Sequence, residues 1–415
     1  MTNRYALQNF LQQERTDLID FLCALIKFPT TRGNEKEAQD FLYKKFRLLT
    51  DETKLVPIPD SIVNDPDYAF YQKDLTYDNR PNLFIKIPGS GGGRSLIMNT
   101  HIDVVPAPED WKAAFNPEVH KGRITGRGAC DSKGQIAVLY ALLKTLKEQN
   151  IKLKGDLTFH IVIEEEVGGN GTLHFVNQKP SADGVIILEP TSLDVHPAVR
   201  GAVWFEVQCE GQSGHSGEGK KSISAIKKCI DAMAILERYH DELLDLSRGD
   251  PYFDIYENPM PLNFGIFEGG NWSSTCPQKA LVKGILGFLP NKNKREVQEE
   301  MRAALRNYGD EWLREHFQIR YPMLNNDGYS LPASHPLVTT FLEASKRNEH
   351  QPAVRGMTAS CDAWMYAKKL GIPTIVFGAG KLEHAHSIQE QVEIDDIIRT
   401  TMVLTDLVQL WCGKE

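Results

Sequence analysis

The sequence predicts an α/β fold, in which a mostly parallel sheet has helices on both faces and a smaller α+β domain is inserted. Three observations predict it. The chain has 415 residues, more than one ordinary hydrophobic core holds, so we expect two domains. Short apolar runs alternate with segments of helical periodicity, which is typical of parallel strands joined by helices. Between residues 199 and 327 the pattern changes to an alternating, half-exposed strand and charged helices.

The first part of the chain predicts two helices, a loop and a strand. Residues 14–27 and 34–49 carry apolar side chains at helical spacing. Residues 57–81 are rich in Pro, Asp and Tyr and show little periodicity, so we expect a surface loop with little chemistry there. The apolar residues Leu83–Ile87 predict the strand that follows.

Four further apolar runs predict parallel strands, and polar residues follow them. The runs are Leu96–Met98, Leu157–Ile163, Val185–Leu188 and Pro373–Phe377. The residues that come after them are His101 and Asp103, Glu165 and Glu166, Glu189, and His384 and His386. A helix predicted from Lys133 to Lys147 places Asp131 near its N-terminus, where a carboxylate is favoured. Because ligands bind beyond the carboxyl ends of parallel strands, these residues predict one site.

The segment between 199 and 327 predicts the smaller α+β domain. Its strands and helices are expected at Val203–Cys209, Ser222–Glu237, Ala280–Phe288 and Lys294–Tyr308. We therefore expect a larger domain of residues 1–198 and 328–415, into which residues 199–327 are inserted.

Charge and hydropathy exclude two classes of partner. Lys and Arg number 47 against 55 Asp and Glu, the net charge is -8, and no basic block occurs. The chain thus lacks the basic surface that binds nucleic acid or an anionic membrane. No apolar run approaches the ~20 residues of a membrane-spanning helix. We expect neither nucleic acid nor membrane as a partner.

The seven cysteines predict reduced thiols and a cytoplasmic location. Their number is odd and no C-x-x-C pair occurs, which is unlike a disulfide framework or a thiolate metal site. The residues from Met1 to Arg15 lack the apolar core of a secretory signal. We expect Cys130, beside Asp131, to be a small packed residue rather than a nucleophile.

The predicted site gathers side chains that suit metal ions. His101 and Asp103 point the same way on a strand, so His101 can bind a metal through one nitrogen while Asp103 accepts the N–H of the other. Four carboxylates also meet there, those of Asp131, Glu165, Glu166 and Glu189. Repulsion and desolvation would force several of them to protonate, and two divalent cations resolve this. Nitrogen and oxygen donors without thiolates suit Zn²⁺ and also tolerate Co²⁺ or Mn²⁺.

Five motifs resemble those of the M20 metallopeptidase family, which includes acetylornithine deacetylase, succinyl-diaminopimelate desuccinylase, aminoacylase and glutamate carboxypeptidase. They are Asn99–Pro106, Gly126–Gly134, Ile163–Gly169, Leu188–Thr191 and His384–Glu390. They occur in the expected order over nearly the whole chain. The resemblance implies a metal-binding catalytic domain and an inserted lid domain that pairs subunits, and hence a homodimer.

The resemblance also implies the metal ligands. It assigns them as His101 and Glu189 on one cation, Glu166 and His386 on the other, and Asp131 bridging both. His384 competes with His386, but the family's spacing to an acid four residues later fits His386 and Glu390.

Glu165 is left over by this assignment, and we expect it to be the general base. It would help to deprotonate the attacking water and pass the proton to the leaving amine, which makes the reaction the hydrolysis of an amide bond. Its neighbour Glu164 is expected to support the fold instead. As in the family, we also expect a cis peptide bond after Asp131.

The segment Gly211–Gly217 resembles the family segment whose histidine reaches the neighbouring subunit's site. His215 would then donate a hydrogen bond to the oxyanion in trans, an effect worth ~2.7–4 kcal/mol. This makes the homodimer part of the mechanism. The alternative is that His215 is an ordinary turn residue.

The resemblance weakens where relatives hold the substrate carboxylate. Their Asn-x-x-Pro and Arg-x-x-Pro segments correspond here to Ser274–Pro277 and Gly287–Pro290, so both polar groups are missing. Loss of the guanidinium removes a bidentate carboxylate clamp. We expect Arg200 and Arg355 to be its replacements in substrate binding.

The sequence thus predicts a di-zinc hydrolase of the deacetylase or desuccinylase type, which cleaves the amide bond of an N-acyl amino acid or a related small N-acyl substrate. The alternative is a metallo-exopeptidase, either a dipeptidase or a carboxypeptidase, with the same metals and a longer pocket. A relative that only binds metal is disfavoured, because such a protein has no need of Glu165.

Overall fold

The computed structural model describes residues 4–69, 75–214 and 222–415. The α-helices of these ranges are α1 (Arg4–Gln13), α2 (Arg15–Ile26), α3 (Lys36–Arg47), α4 (Lys133–Glu148), α5 (Asn170–Asn177), α6 (Ala225–Leu246), α7 (Lys294–Tyr308), α8 (Glu311–Glu315), α9 (Pro336–Arg347) and α10 (Ile394–Trp411). The strands are β1 (Thr53–Val56), β2 (Asn82–Ile87), β3 (Leu96–His101), β4 (Glu118–His120), β5 (Arg123–Thr125), β6 (Leu157–Val162), β7 (Val185–Ile187), β8 (Val195–Val199), β9 (Gly201–Glu210), β10 (Leu262–Gly269), β11 (Lys279–Phe288), β12 (Phe317–Arg320), β13 (Asn325–Asn326), β14 (Tyr329–Ser330), β15 (Val354–Met357), β16 (Thr374–Val376) and β17 (Gln391–Glu393).

The larger sheet has the order β1-β2-β6-β3-β7-β16-β8-β14, and β15 pairs with β8. Its centre, β6-β3-β7-β16, is parallel. Strands β1 and β2 on one side, and β8 and β14 on the other, add antiparallel pairs. This mixed, mostly parallel sheet confirms the predicted α/β fold class, and it brings the carboxyl ends of its central strands to one edge.

Apolar sequence explains the central strands and the helices that cover them. All six residues of β3 are buried, as expected for a strand covered on both faces. Helix α4 buries Ile136, Leu139 and Leu143, which recur at helical spacing. The predicted helices at 14–27 and 34–49 are confirmed as α2 and α3, with ends that differ by one or two residues.

A second, antiparallel sheet has the order β10-β11-β9-β12, with β13 also paired to β9. Strand β9 alternates buried and half-buried residues, and its buried side chains pack with those of α6 and α7. Helix α7 begins as its sequence predicts, because Asn293 and Glu296 form a reciprocal capping box. Helix α6 continues to Leu246, nine residues beyond the predicted end at Glu237.

The chain passes between the two sheets as a two-stranded ribbon. Only Arg200 separates β8 from β9 on the outward path, and β13 and β14 form the return path. The two paths pair in antiparallel fashion, Asn326 with Ala202 and Tyr329 with Val199. A Cβ added to Gly201 would lie 2.7 Å from the main-chain nitrogen of Gly328, so this close approach requires glycine.

Buried hydrophobic residues form two separate cores. The first core uses residues up to Val199 and from Tyr329 onward, whereas the second uses residues between Ala198 and Ile319. The domain boundaries at 199 and 327 stay a prediction, which this separation supports. Within the described ranges, no helix combines the length and apolar character needed to cross a membrane.

Candidate metal centre

The carboxyl ends of the central strands carry the predicted metal-binding residues. They place His101 at the end of β3, Glu165 and Glu166 after β6, Glu189 after β7 and His386 after β16. Asp131 comes two residues before α4, and the peptide bond between Asp131 and Ser132 is cis, as predicted. Since β6, β3 and β7 are adjacent and parallel, their ends bring these side chains together.

Asp131 lies between two imidazoles. Its Oδ1 atom is 3.1 Å from His101 Nε2, and its Oδ2 atom is 3.2 Å from His386 Nε2. Each imidazole also has a glutamate beside it. The distance from His101 Nε2 to Glu189 Oε1 is 3.8 Å, and that from His386 Nε2 to Glu166 Oε2 is 3.0 Å. The structure thus brings all five predicted ligands together, with Asp131 at the centre.

Two overlapping groups of donor atoms have the spacing of metal ligands. The ligand atoms of His101, Asp131 and Glu166 lie within 4.8 Å of one another, and so do those of His101, Glu165 and Glu189. The donors are imidazole nitrogens and carboxylate oxygens, and most of these side chains are buried. Such a set fits Zn²⁺, Co²⁺ or Mn²⁺ by its chemistry.

The carboxyl groups of the cluster disfavour one another's ionisation. Burial, together with the charge of Asp131, raises the pKa of Glu166 to about 7. Burial, followed by the charges of Asp362, Glu189 and Glu166, raises the pKa of Glu165 well above its ordinary value. The ionised carboxylates of the cluster would therefore carry more negative charge than its two imidazoles can neutralise, and bound divalent cations would neutralise the remainder.

Asp103 holds His101 differently from the prediction. The Nδ1 atom of His101 lies 2.9 Å from the main-chain oxygen of Asp103, whereas the Asp103 carboxylate is 3.6 Å away, too far for a hydrogen bond. That carboxylate instead accepts the main-chain N–H groups of Glu165 at 3.2 Å and Glu166 at 3.1 Å. Asp103 thus orients the imidazole through its backbone and the glutamate loop through its side chain.

Glu390 is a buried acid to which sequence reasoning gave no role of its own. Its Oε1 atom accepts the main-chain N–H groups of Cys130 at 3.3 Å and Asp131 at 3.2 Å, and its Oε2 atom accepts Nη1 of Arg127 at 2.6 Å. Because Glu390 lies four residues after His386, it links the loops of two predicted ligands. The spacing between His386 and Glu390 was the available signal.

Asp362 is a second buried acid that the sequence did not reveal. It accepts a hydrogen bond from Thr172 Oγ1 at 2.5 Å, and burial raises its pKa to about 7. The negative charge of Asp362 helps to raise the pKa of Glu165. No motif precedes it, so only the fold places it beside the cluster.

Residues 97–410 match the family model described as Peptidase family M20/M25/M40. The chain belongs to this family. The matched region contains every residue of the cluster described above. Together with the relatives below, M20 membership makes the protein an enzyme, a metal-dependent amidohydrolase.

Three curated relatives resemble the chain over most of its length. N-formyl-4-amino-5-aminomethyl-2-methylpyrimidine deformylase of Bacillus subtilis (strain 168) is 26% identical, over 99% of this chain and 98% of the relative. The protein of the same name from Halalkalibacterium halodurans is 30% identical, over 81% and 84%. Acetylornithine deacetylase of Myxococcus xanthus is 29% identical, over 80% and 84%.

A solved structure supports the fold. The di-peptidase Dug1p from Saccharomyces cerevisiae aligns with a TM-score of 0.79, covering 99% of this chain and 98% of its own. Its sequence identity is 14%, so this likeness concerns the architecture alone.

Behind the M20 cluster, Glu164 supports the fold, as predicted. Its Oε1 atom lies 2.8 Å from both Arg32 Nε and Arg80 Nη2, and Tyr77 donates its hydroxyl to Oε2 at 2.6 Å. The expectation that residues 57–81 form a surface loop is therefore wrong for Tyr77, which is 3% exposed and whose hydroxyl braces the residue next to Glu165. Low periodicity in a sequence does not show which loop side chains turn inward.

His386, and not His384, lies against the M20 cluster. His384 Nε2 lies instead 3.2 Å from Gln391 Nε2. His215 lies outside the described residues, so its predicted role in trans stays a prediction.

The two arginines predicted to bind substrate differ in their surroundings. Arg200 is buried, and its guanidinium donates to the main-chain oxygens of Thr358 and Gly201. A Cβ added to Gly287 would lie 2.9 Å from Arg200 Nη1, so the guanidinium lies beside the first residue of the Gly287–Pro290 segment. Arg355 forms an ion pair with Asp194 at 2.5 Å.

Proposed function

We propose that this M20 enzyme is a dinuclear metal hydrolase that cleaves the amide bond of an N-acyl amino acid or a related small N-acyl substrate. The observation that carries this proposal is that Glu165 lies among the donor atoms, grouped with His101 and Glu189 and next to the overlapping group of His101, Asp131 and Glu166. A protein that only bound metal would have no use for a buried carboxylate that the predicted ligand set leaves over.

Five residues would hold the cations. They are His101 and Glu189 for one ion, Glu166 and His386 for the other, and Asp131 between them. Zn²⁺ is our first choice for both ions, and Co²⁺ and Mn²⁺ suit the same donors. When bound, such cations lower the pKa of a water molecule and polarise the acyl carbonyl.

Glu165 would move the proton. Its carboxylate lies 3.9 Å from His101 Nε2 and its side chain is 11% exposed, so it faces the cluster in a site with little bulk water. It would accept a proton as water attacks the acyl carbon, and donate that proton to the amide nitrogen as the carbon–nitrogen bond breaks. The products are a carboxylic acid and a free amine.

The relatives support a small acyl group. Their names specify removal of a formyl group from an N-formyl aminomethylpyrimidine and of an acetyl group from acetylornithine, so the amine varies while the acyl group stays small. We therefore propose formyl or acetyl as the group removed. The metallo-exopeptidase remains the second candidate, and peptide substrates test it.

Arg200 is our first candidate for binding a substrate carboxylate. No carboxylate of the described residues pairs with it, and burial lowers its pKa to about 10. A buried guanidinium that lacks a counter-charge is costly, and a substrate carboxylate would supply one. Arg355 is the second candidate, because Asp194 already balances its charge.

We also propose a cytoplasmic homodimer that forms through an inserted lid domain of residues 199–327. His215 would then reach the partner's site and stabilise the oxyanion. All seven cysteines are free thiols, which supports a reducing compartment.

The first experiment measures metal content by mass spectrometry and turnover of a substrate panel with and without added Zn²⁺. The panel contains the N-formyl aminomethylpyrimidine, N-acetylornithine and a dipeptide. About two cations per chain and Zn²⁺-dependent release of amine from an N-acyl compound would support the proposal. Turnover of the dipeptide alone would favour the exopeptidase, and no metal after loading would overturn both.

A further inference from the structure

Residues 65–69, which we call the bracing segment, contact the loop that carries Glu165 and Glu166. The main-chain N–H of Ala69 donates to Asn170 Oδ1 at 2.9 Å, and Asn170 Nδ2 donates to the Ala69 oxygen at 3.1 Å. Asn170 also donates to Glu164 Oε2 at 2.7 Å. The bracing segment therefore supports both the start of α5 and the residue before Glu165.

The same segment contacts the second core through Asp67. Its Oδ1 atom is 2.6 Å from Nζ of Lys294, the first residue of α7, whose buried face belongs to the second core. Its Oδ2 atom is 2.6 Å from Nζ of Lys369, which lies beside the first core. One carboxylate thus joins lysines from the two cores.

Burial strengthens the contact that crosses between the cores. The side chains of Asp67 and Lys294 are 20% and 12% exposed. The Lys294 ammonium also lies 4.0 Å from the ring centre of Trp364 and donates to the main-chain oxygen of Asn325 at 3.1 Å. Such a pair is screened less by salt than an exposed one.

Close packing around Gly168 joins the glutamate loop, the bracing segment and the chain returning from the second core, without any contribution from charge. A Cβ added to Gly168, two residues after Glu166, would lie 2.3 Å from the Ala69 side chain and 3.4 Å from the Cα atom of Leu324. The glutamate loop, the bracing segment and the return path from the second core therefore meet at one point. A shift of α7 relative to the first core would reach Glu165 and Glu166 through this contact.

We propose that Asp67 is a positioning residue for hydrolysis, which fixes α7 of the second core relative to the loop that carries Glu165 and Glu166. This inference rests on the proposed function of that site. A displacement of catalytic groups by about 1 Å can lower a rate by ~100-fold, so a distant ion pair is sufficient to affect turnover.

Three variants of the whole 415-residue chain, loaded with Zn²⁺, test the proposal. Asp67→Asn and Lys294→Met break the contact between the cores. Lys369→Met removes only contacts of the bracing segment with the first core, to Asp67 at 2.6 Å and to Asp65 at 3.8 Å. The hydrogen bonds between Ala69 and Asn170 still hold the segment to the first core in that variant. We expect the first two to lower kcat/KM by about tenfold and Lys369→Met to change it by less than about twofold. The double variant Asp67→Asn/Lys294→Met should be no worse than either single one, because both remove the same contact.

Hydrogen exchange provides a readout that does not depend on turnover. In Asp67→Asn and Lys294→Met, amides of residues 164–170 and 294–301 should exchange faster than in the wild type and in Lys369→Met. Metal content should stay unchanged in all variants, because none of these residues is a predicted ligand.

Two results would overturn the proposal. One is wild-type exchange and wild-type kcat/KM in Lys294→Met, and the other is an equal loss in Lys369→Met, which would show only a local fold contact. If the wild type turns over no substrate of the panel, the proposed function fails, while the exchange comparison still decides whether Asp67 ties the two cores together.

Discussion

Substitution of Glu390 should separate metal binding from folding. The Glu390→Gln variant keeps the shape of the side chain but removes the charge that Arg127 Nη1 contacts at 2.6 Å. Both side chains are 1% exposed, and loss of one partner of a buried ion pair costs about 3–5 kcal/mol of folding free energy. The same carboxylate accepts the main-chain N–H of Asp131 at 3.2 Å. Gln keeps an oxygen that can accept this N–H but loses the negative charge, and such weakened support for a ligand should lower metal affinity by up to about 10-fold.

A second variant removes the ambiguity between these two effects. The double variant Arg127→Met/Glu390→Met replaces the buried ion pair by apolar side chains, which is often neutral for stability. Unlike Gln, Met also leaves the Asp131 N–H without an acceptor. We therefore expect the double variant to unfold near the wild-type temperature and yet to bind Zn²⁺ about tenfold more weakly. The matched control is Glu383→Gln in the same loop, whose side chain is 68% exposed.

The assay titrates metal-free protein with Zn²⁺ in competition with a chromogenic chelator, and thermal unfolding is recorded for the same samples. If both Glu390 variants bind Zn²⁺ as the wild type does, the hydrogen bonds of Glu390 do not position Asp131 for metal. The reasoning from geometry would then be refuted, whatever the change in stability.

Four other outcomes are expected. Glu165→Gln should retain both cations by mass spectrometry and lower kcat by about 100- to 10,000-fold, and retained activity would exclude it as the general base. Arg200→Ala should raise KM for an N-acyl amino acid by about 10- to 100-fold with little change for Arg355→Ala, whereas unchanged KM in both variants would remove both arginines from substrate binding. Burial beside Asp131 raises the pKa of Glu166 from 4.5 to about 7, so the metal-free folded state binds more protons than the unfolded state between these values. The unfolding temperature of the metal-free protein, measured by fluorimetry with a chelator present, should therefore fall as the pH rises from about 5 to about 7. Added Zn²⁺ should abolish this dependence on pH. An unfolding temperature that stays constant over this range without metal would contradict the expectation. Equal amounts of Glu165→Gln and His215→Ala chains, mixed and allowed to exchange subunits, should regain about a quarter of wild-type turnover. If His215 acts in trans, half of the dimers pair one chain of each kind, and one of the two sites in such a dimer is intact. No recovery on mixing would argue against that role.

The sequence predicts the central architecture because the decisive patterns are local. The apolar run before His101 is the buried strand β3, and α7 runs from Lys294 to Tyr308 as its periodicity indicates. Parallel strands then place their polar ends together, so the gathering of His101, Glu165 and Glu189 follows from topology alone. The family resemblance adds which of these residues would bind which cation, and the periodicity of the sequence carries no such information.

The sequence does not predict contacts that depend on the path of loops. Asp103 and His101 are two residues apart, but only the structure shows that the contact uses a main-chain oxygen. Asp67 lies in a segment without periodicity, and its lysines are 227 and 302 residues away in sequence. Such contacts are fixed by tertiary packing, and no local pattern encodes them.

The ribbon between the two sheets has a consequence for recombination between M20 relatives. Both strands of the ribbon pair with each other, and Gly201 contacts the backbone of Gly328. A chimera that exchanged only one of the two strands would mismatch their register. Exchange of residues 201–328 as one block preserves the glycine contact, and the second sheet then becomes a cassette that can be transplanted with its own helices.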